Sequence, residues 1–520
     1  MGADPVFDAL AAACPAARPA QPGDAVAGVT PRFAAAPATV AQASGLLRAA
    51  AAHDLAVVPR GAGSKLDWGA PPRRCDLVVD TAALDQVLEH AAGDLVVRVQ
   101  AGVSLDRLAE MLAGAGQQLA LDPPPSLASR AGAEPPFARP GGTVGGTLAT
   151  GAAGPRRLRY GTPRDLLIGI TVVRADGVVA SSGGKVVKNV AGYDLGKLFT
   201  GSFGTLGLIV EAVFRLHPLP ASAAYVTVDC DTPEEACWAV AAVAGGELAP
   251  SAVEIDRPAR DGPVRVTVLV EGGPDGTAER AGLLCALLGA GASARPSPPA
   301  WWGWPAGNGR HGPDGQPRAD QQPDEAGPAR ADEQAGADKQ AGPDGQPRAD
   351  QQPDEAGPAR ANEQAGADER AGTGRPPGSD GQVGTLVRVG FWAAGLPRVL
   401  RVIDDTARAA GLDPAVGGSA AAGVIYAAAR PDADPAAVAA FVSGLRAALA
   451  RGEADARPAS APFPDSPPVL ASAVVVHAPP PARELLDLWG PVPSLPLMRA
   501  VKDQFDPGHR MAPGRFAGGI

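Results

Sequence analysis

Short apolar runs and amphipathic stretches alternate along most of the chain, and they predict strands and helices in turn. Three valine-rich runs predict strands: LAVVP (55–59), DLVVD (76–80) and LVVRVQ (95–100). Apolar residues at helical spacing predict helices over 38–54 and 104–116. IGITVVRADGVVA (168–180) predicts a hairpin that turns at Asp176 and Gly177. The N-terminal part of the chain is therefore predicted to be rich in short strands.

Beyond about residue 220 the two patterns follow one another more regularly. Strands are predicted at 223–230, 264–272, 385–392 and 423–430, and helices at 232–246, 277–291, 396–411 and 435–451. This order favours an α+β domain with helices on one face of its sheet. A short helix and a tail containing proline and glycine follow at about 491–520.

The alternating pattern fails between about 305 and 380. Residues 313–342 recur at 343–372 with only three differences, and neither copy contains Val, Ile, Leu or an aromatic residue. Such a segment cannot bury enough apolar surface to offset the entropy lost on ordering, and a solenoid would need apolar positions in every repeat. We therefore predict a disordered insertion over 305–380.

Composition narrows the function classes. The formal net charge of −10 argues against nucleic-acid binding as the main task, because phosphate contacts need clustered Lys and Arg. None of the five cysteines lies in a CxxC motif, so no iron–sulfur or zinc site is expected in this chain. The N-terminus does not resemble a signal peptide, and no uncharged apolar stretch reaches the length of a membrane helix. These features predict a cytoplasmic protein.

A glycine-spaced loop follows the first predicted strand in VVPRGAGSKL (57–66). It is not a nucleoside-triphosphate loop, because the Gly-Lys pairs of the chain, at 184–185 and 196–197, lack the following Ser or Thr. It is not a dinucleotide fingerprint either, because the third glycine and the following helix are missing. Two interpretations remain: an anion-binding nest of backbone N–H groups, aided by Arg60 and Lys65, or an ordinary turn.

Two further glycine clusters lie downstream. GGTVGGTLATGAAG (141–154) would let backbone approach a flat ligand closely, and the less favoured alternative is a packing seam of small residues. SSGGKVVKNVAGYDLGKLFTGSFGTLGLI (181–209) places several polar side chains between glycines. Together with PRGAGSK, these motifs resemble in order and spacing the FAD domain of the vanillyl-alcohol-oxidase-type (PCMH) flavoproteins.

The tail FDPGHRMAPGR (505–515) resembles the ending of the glycolate oxidase and D-lactate dehydrogenase branch of that family. Within the branch the chain looks most like the smaller, FAD-binding subunit of bacterial glycolate oxidase, over about 50–220 and 490–520. The tail departs from the branch at Ala512, where an Asn is usual, so the polar contact of that side chain is not expected here.

The resemblance implies an α+β fold with a PCMH-type two-part FAD-binding domain, an α+β cap domain and a C-terminal tail that returns to the FAD domain. The expected divisions are an N-terminal extension (1–34), the FAD-binding domain (35–220), the cap domain (221–490) containing the insertion (305–380), and the C-terminal segment (491–520).

The resemblance also implies which residues bind FAD. Those expected around the pyrophosphate are Pro59, Arg60, Gly61, Ala62, Gly63, Ser64 and Lys65. Those expected along the flavin and ribityl chain are Gly142, Thr143, Gly145, Gly146, Thr150, Gly151, Ala152 and Ala153. Those expected at the adenine end and the ring are Gly204, Thr205, Leu206, Gly207, Leu208 and Ile209. Ser64 stands where covalent members of the family carry a histidine, so the FAD is expected to be non-covalent.

The catalytic residues are not apparent from the sequence. Metal-dependent members of the branch carry paired histidines in the cap, whereas the six histidines of this chain are scattered, so no metal site is expected. His477, which follows the strand ASAVVV, is the only histidine in the C-terminal half of the cap, and a lone histidine after a strand is more often structural than a catalytic base. The remaining candidates to face the flavin are Lys188, Asn189, Tyr193 and Asp194. They could instead form a structural turn in which Asp194 pairs with Lys188 or Lys197.

The resemblance implies an FAD-dependent oxidoreductase subunit that takes part in oxidation of glycolate or a similar 2-hydroxyacid. Its expected partners are a catalytic flavin subunit and an iron–sulfur subunit, through which any membrane association would occur. Two alternatives stay open. The chain could be a free-standing FAD-dependent 2-hydroxyacid dehydrogenase of the D-lactate type, or a catalytically silent structural flavin subunit.

Overall fold

The computed structural model describes residues 4–124, 142–184, 194–299, 301–303, 384–451 and 471–520. The strands are β1 (Arg18–Pro19), β2 (Phe33–Ala35), β3 (Val57–Arg60), β4 (Leu77–Asp80), β5 (Val87–Ala91), β6 (Val96–Gln100), β7 (Gln117–Gln118), β8 (Leu167–Val173), β9 (Val179–Gly183), β10 (Leu208–Arg215), β11 (His217–Pro218), β12 (Ser222–Cys230), β13 (Ala252–Arg257), β14 (Val264–Gly272), β15 (Ser293–Arg295), β16 (Leu386–Phe391), β17 (Ala415–Ser419), β18 (Val424–Ala428) and β19 (Ala471–His477).

The helices are α1 (Pro5–Ala13), α2 (Val40–Ala52), α3 (Leu105–Ala113), α4 (Val144–Thr150), α5 (Arg157–Tyr160), α6 (Pro163–Leu166), α7 (Gly196–Phe199), α8 (Pro233–Ala244), α9 (Pro274–Leu288), α10 (Leu396–Ala409), α11 (Pro435–Arg451), α12 (Pro480–Arg483) and α13 (Leu495–Phe505). Each helix and strand predicted for the described residues is present, with ends shifted by a few residues. The predicted insertion over 305–380 lies outside the described residues.

Two sheets form the N-terminal part of the fold. In the first, of order β1-β2-β4-β3, strands β2, β4 and β3 are parallel, and the second is an antiparallel sheet of order β5-β6-β10-β8-β9. Leu46 and Leu47 of α2 are buried in one cluster with Val57 of the first sheet and Val210 of the second. The apolar face of α2 therefore joins the two sheets. A two-stranded pair, β7 with β11, adjoins them.

The third sheet has eight strands, all antiparallel, in the order β15-β12-β14-β13-β17-β18-β16-β19. Because successive side chains of a strand point to opposite faces, its two faces carry different partners. On β18, Ile425 and Ala427 pack in the cluster formed with helices α8 to α11, whereas Tyr426 and Ala428 pack with Trp68 of the N-terminal part. The predicted α+β fold, with helices on one face of this sheet, is confirmed.

The C-terminal tail returns to the first sheet. The Val57 N–H donates to the Arg510 carbonyl at 2.8 Å, and the Ala512 N–H donates to the Val57 carbonyl at 2.7 Å, so the tail pairs with β3. Lys502 of α13 is fully buried, and its Nζ donates to the carbonyl oxygens of Thr205 and Met511. The tail thereby fixes both β3 and the loop before β10. No helix among the described residues has the length and apolar character needed to cross a bilayer.

Candidate functional site

The loop that follows β3 forms one wall of a cleft. Gly63 has a φ of +75°, a conformation that a residue with a Cβ adopts only with strain. A Cβ built on Gly61 would overlap Thr143 Oγ1, so this loop lies directly against the start of α4. The strand therefore ends in a loop whose backbone is both tightly turned and closely packed.

The second wall is α4, whose small residues serve two purposes. A Cβ on Gly145 would lie 2.7 Å from Ala101 Cβ, so Gly145 allows α4 to pack against the end of β6. Gly146, one residue later, lines the cleft, and its N–H donates to Thr143 Oγ1 at 3.2 Å. This short helix thus contains the packing seam of small residues at Gly145 and a cleft-lining surface at Gly146.

The third wall is the turn before β10. Phe203 and Gly204 both have positive φ, at +56° and +75°, and the turn brings Gly204 against Pro59. The three walls border a cleft, and a second, smaller cleft shares part of its lining. The residues common to both are Pro59, Gly61, Gly146, Ala149 and Gly204.

Most residues expected to bind FAD line these two clefts. They are Pro59, Arg60, Gly61, Ala62, Gly63, Ser64, Lys65, Thr143, Gly145, Gly146, Thr150, Gly204, Gly207, Leu208 and Ile209. Gly142 adjoins the loop, where its Cβ would lie 3.3 Å from Ser64 Oγ. Ala152 packs with Trp68 against the eight-stranded sheet, whereas the Thr205 hydroxyl donates to the Ser202 carbonyl and Leu206 lies in the core. Gly151 ends α4 with positive φ, and Ala153 is buried.

Two buried cations belong to the larger cleft. Lys65 is 8% exposed, and burial lowers the pKa of its ammonium group to about 8. In the described part of the chain it meets no carboxylate, and its Nζ lies 5.7 Å from the centre of the Trp68 ring. The second cation, Arg515 of the tail, was not among the residues expected from the sequence. A buried charge without a counter-ion is costly, so both groups suit an anionic ligand.

Arg60 has a different role from Lys65. Its Nη2 lies 3.0 Å from Asp24 Oδ1 and 2.9 Å from Asp80 Oδ2, in a buried ion-pair network. Burial opposes ionisation of Asp24, but hydrogen bonds from Arg18, Gln21 N–H and Arg60 lower the pKa of Asp24 to about 2. The guanidinium of Arg60 is therefore neutralised inside the protein and anchors the end of β3.

The proposed flavin-facing residues are only partly described. Lys188, Asn189 and Tyr193 lie outside the described residues. Asp194 Oδ2 is 3.3 Å from Lys197 Nζ in a half-exposed pair, which favours the structural turn for this residue. His477 Nδ1 lies 3.9 Å from Asp67 Oδ2 at the end of β19. Among the described residues, no group of three or more His, Cys, Asp or Glu side chains is placed to hold a metal ion.

A buried polar network joins the N-terminal part to the eight-stranded sheet. Arg156 Nη2 lies 3.0 Å from Glu271 Oε1, and the Tyr160 hydroxyl donates to Glu271 Oε2 at 3.1 Å. Burial, and next the charge of Glu271, raises the pKa of Tyr160. Arg159 donates to the Glu271 carbonyl at 3.2 Å. Sequence reasoning missed this network, because its members are distant along the chain and none lies in a recognisable motif.

Two carboxyl groups at the same interface are protonated more readily than usual. Burial raises the pKa of Asp122 to about 6, although a hydrogen bond from Arg156 N–H and the charges of Arg156 and Arg157 oppose it. Burial also raises the pKa of Glu254 to about 8, with the charge of Asp122 adding to the effect. Glu254 therefore enters the folded protein as a neutral acid at pH 7.

The carboxyl of Glu254 predicts a pH-dependent stability. Between its ordinary pKa of 4.5 and about 8, the folded state keeps a proton that the unfolded state releases, so stability falls as pH rises through this window. Each pKa unit corresponds to about 1.4 kcal/mol, which gives a loss on the order of 4 kcal/mol by pH 8. Glu254→Gln is expected to remove this loss. The free energy of unfolding of the variant, measured with denaturant and compared with that of the wild type, should therefore be relatively higher at pH 8 than at pH 5. An equal difference at both pH values would contradict the assignment.

Comparison with known proteins shows which kind of domain contains most of this cleft. Residues 31–183 match the family model described as "FAD binding domain". The glycolate oxidase subunit GlcD of Bacillus subtilis (strain 168) is 33% identical over 225 residues, 43% of this chain and 45% of the relative. The D-lactate dehydrogenase of Archaeoglobus fulgidus is 35% identical over 218 residues, 42% of this chain and 46% of the relative. The chain thus spans about half the length of the curated relatives it matches.

Solved structures show the same fold over a larger share. A p-cresol methylhydroxylase structure has a TM-score of 0.61 at 13% identity, covering 98% of this chain and 96% of that one. An alkyldihydroxyacetonephosphate synthase structure has a TM-score of 0.56 at 14% identity, covering 93% and 76%. The family match identifies residues 31–183 as an FAD-binding domain, and the chain shares the fold of p-cresol methylhydroxylase. FAD is therefore the cofactor of this protein, and two of its relatives, both from Mycobacterium tuberculosis and 32% identical over 224 residues, are named as FAD-linked oxidoreductases.

Proposed function

We propose that the protein is an FAD-dependent oxidoreductase subunit that takes part in oxidation of glycolate or a similar 2-hydroxyacid. The observation that carries the proposal is Lys65, a buried ammonium group on a glycine-lined cleft, with no carboxylate partner in the described residues. The curated relatives add the substrate class, because one is named as a glycolate oxidase subunit and others as D-lactate and D-2-hydroxyglutarate dehydrogenases.

The proposed cofactor pose follows the three walls. The loop 61–65 would hold the pyrophosphate through its backbone N–H groups and the charge of Lys65. The residues of α4, with Thr143 before it, would hold the flavin and ribityl chain. Residues 207–209, which line the second cleft, would hold the adenine end. The FAD is non-covalent in this proposal, because Ser64 cannot form a histidyl link.

The proposed roles of this chain, of FAD and of the partner subunits follow from the residues around the cleft. Bound FAD would accept the electron pair of the substrate. The residues of the chain bind and orient the cofactor, and the eight-stranded sheet closes over the N-terminal part through Trp68 and Ala152. Electrons would leave through an iron–sulfur partner, with a catalytic flavin subunit as a second partner. The name of the Bacillus relative, an oxidase subunit, supports such an assembly.

The test begins with the purified chain reconstituted with FAD, with Lys65→Met as the matched variant that should retain little FAD. Under anaerobic conditions glycolate is expected to bleach the visible flavin absorbance when the partner subunits are present and not when the chain is alone. FAD should also be released on denaturation, leaving no flavin on the unfolded chain. A wild-type chain that holds no FAD would overturn the proposal.

A free-standing D-lactate-type dehydrogenase is the second candidate, favoured by the similarity to the Archaeoglobus enzyme. The same experiment separates it, because bleaching of the isolated chain by D-lactate or glycolate would establish this function and refute the subunit. An assembled complex that turns over while the flavin of this chain stays oxidised would identify a structural flavin subunit instead.

A further inference from the structure

Arg515 connects the C-terminal tail to the larger cleft. Its Nη2 donates to the Leu66 carbonyl at 2.8 Å and to the Trp68 carbonyl at 2.9 Å. The side chain lines the cleft together with the loop 61–66 and is 3% exposed. One tail residue thus holds the loop that carries Lys65.

The other terminal nitrogen of Arg515 lacks a protein partner. Nη1 is buried and donates to no acceptor among the described residues. Burial lowers the pKa of Arg515 to about 10, and the charge of Asp67 offsets only part of this effect. A buried donor that makes no hydrogen bond costs free energy of folding, and this cost is larger for a charged group than for a neutral one. The described residues therefore do not satisfy all the hydrogen-bond donors of Arg515.

The cleft also has a charge imbalance that a diphosphate ester would remove. Lys65 and Arg515 are two buried cations lining one cleft, and neither makes an ion pair with a carboxylate in the described part of the chain. The pyrophosphate of FAD carries two negative charges. Guanidinium groups bind phosphate oxygens well, because their N–H groups match the oxygen geometry.

We propose that Arg515 Nη1 donates to a pyrophosphate oxygen of bound FAD, so that the C-terminal tail completes the cofactor site. The proposal rests on the FAD site proposed above and assigns its second cation. It also implies that FAD binding and docking of the tail stabilise each other, because both depend on this side chain.

The test compares Arg515→Met, Arg515→Lys and, as a matched control, Arg499→Met, which removes an exposed arginine from the same C-terminal segment. Equilibrium FAD binding is followed by quenching of flavin fluorescence. Loss of a charge-assisted hydrogen bond should raise the FAD Kd about 10- to 100-fold in Arg515→Met. The increase should be smaller in Arg515→Lys and absent in Arg499→Met.

A second measurement separates the pyrophosphate contact from a general loosening of the loop. ADP carries the pyrophosphate and adenosine does not, so both are used as competitors of FAD in the wild type and in Arg515→Lys. The proposal expects weaker ADP binding with unchanged adenosine binding. Equal weakening of both ligands would overturn it and leave Arg515 as a structural residue.

Limited proteolysis of the tail tests the coupling. FAD should slow cleavage after residue 505 in the wild type and have little effect in Arg515→Lys. If the wild type binds FAD and both Arg515 variants bind it equally well, this inference fails while the proposed function stands. If the wild type binds no FAD, the proposed function itself fails.

Discussion

Replacing Lys502 by methionine is expected to destabilise the folded protein by about 3–5 kcal/mol, the usual cost of removing one partner from a buried ion pair. Lys502 and Asp506 are both fully buried, with Nζ 2.7 Å from Asp506 Oδ2. Among the residues that the structure describes, the substitution leaves the Asp506 charge with only the Met511 N–H, at 2.7 Å. It also strands the carbonyl oxygens of Thr205 and Met511, which Nζ now satisfies. Thermal and denaturant unfolding measure the loss.

The matched control is Lys197→Met, which breaks the half-exposed pair with Asp194. Surface pairs contribute about 0–1 kcal/mol, so this variant should unfold almost like the wild type. The double variant Lys502→Met/Asp506→Asn removes the stranded charge and should recover part of the stability, as a double-mutant cycle would show. If the two lysine variants lost equal stability, the buried contact would not be the anchor described here.

The same contact bears on the cofactor, because Lys502 reaches the carbonyl of Thr205 from the tail. Thr205 follows Gly204, which lines both clefts. Loss of this anchor is therefore expected to weaken FAD binding as well as folding. Arg515 and Lys502 together make the tail part of the cofactor site, although it lies almost 300 residues after that turn in the chain.

The regular elements could be predicted from the sequence because local patterns determine them. Strand Val264–Gly272 and helix Pro435–Arg451 coincide with the apolar runs that predicted them. Ser104 and Thr232 each accept a hydrogen bond as the N-cap of the helix that follows. Here burial, periodicity and capping all favour the same element, so the prediction needs no knowledge of distant contacts.

Strand Ala252–Arg257 was missed because its sequence AVEIDR contains three charged residues, yet all six residues are buried. Glu254 is buried as a neutral acid, whereas Arg257 Nη2 lies 2.6 Å from Asp404 Oδ1 on α10. Asp256 pairs with Arg265 of the neighbouring strand. Arg257 and Asp404 are 147 residues apart, so local patterning cannot reveal their ion pair. The role of Arg515 in the cleft was missed for the same reason.

The loop residues of the site were predictable as a group, but their individual roles were not. Gly61, Gly63 and Lys65 line the cleft, as the glycine spacing indicated. Arg60 belongs to the same motif, yet its charge is used by Asp24 and Asp80 in the interior. The sequence places both cations in one glycine-containing segment, and only the packing around them shows which one is paired with carboxylates.

Gly61→Val is expected to abolish FAD binding, with a Kd at least about 100-fold higher than that of the wild type. Any Cβ at this position overlaps Thr143 Oγ1, and a branched side chain adds atoms on the side of the cleft. The loop must then move away from α4, which separates two of the three walls of the cleft. Flavin content after purification and FAD titration measure the effect, with Gly93→Val as the control, since a Cβ on Gly93 meets nothing within 4 Å.

A second-site change shows whether this overlap is the cause. In Gly61→Ala the new methyl group still meets Thr143 Oγ1, so FAD binding should weaken although less than with valine. Thr143→Ala removes the overlapping hydroxyl, at a cost of about 1 kcal/mol for the lost helix cap. The double variant Gly61→Ala/Thr143→Ala should therefore bind FAD better than Gly61→Ala alone. Full flavin retention in Gly61→Val, or a double variant weaker than both single variants, would show that the contact between the loop and α4 does not shape the site.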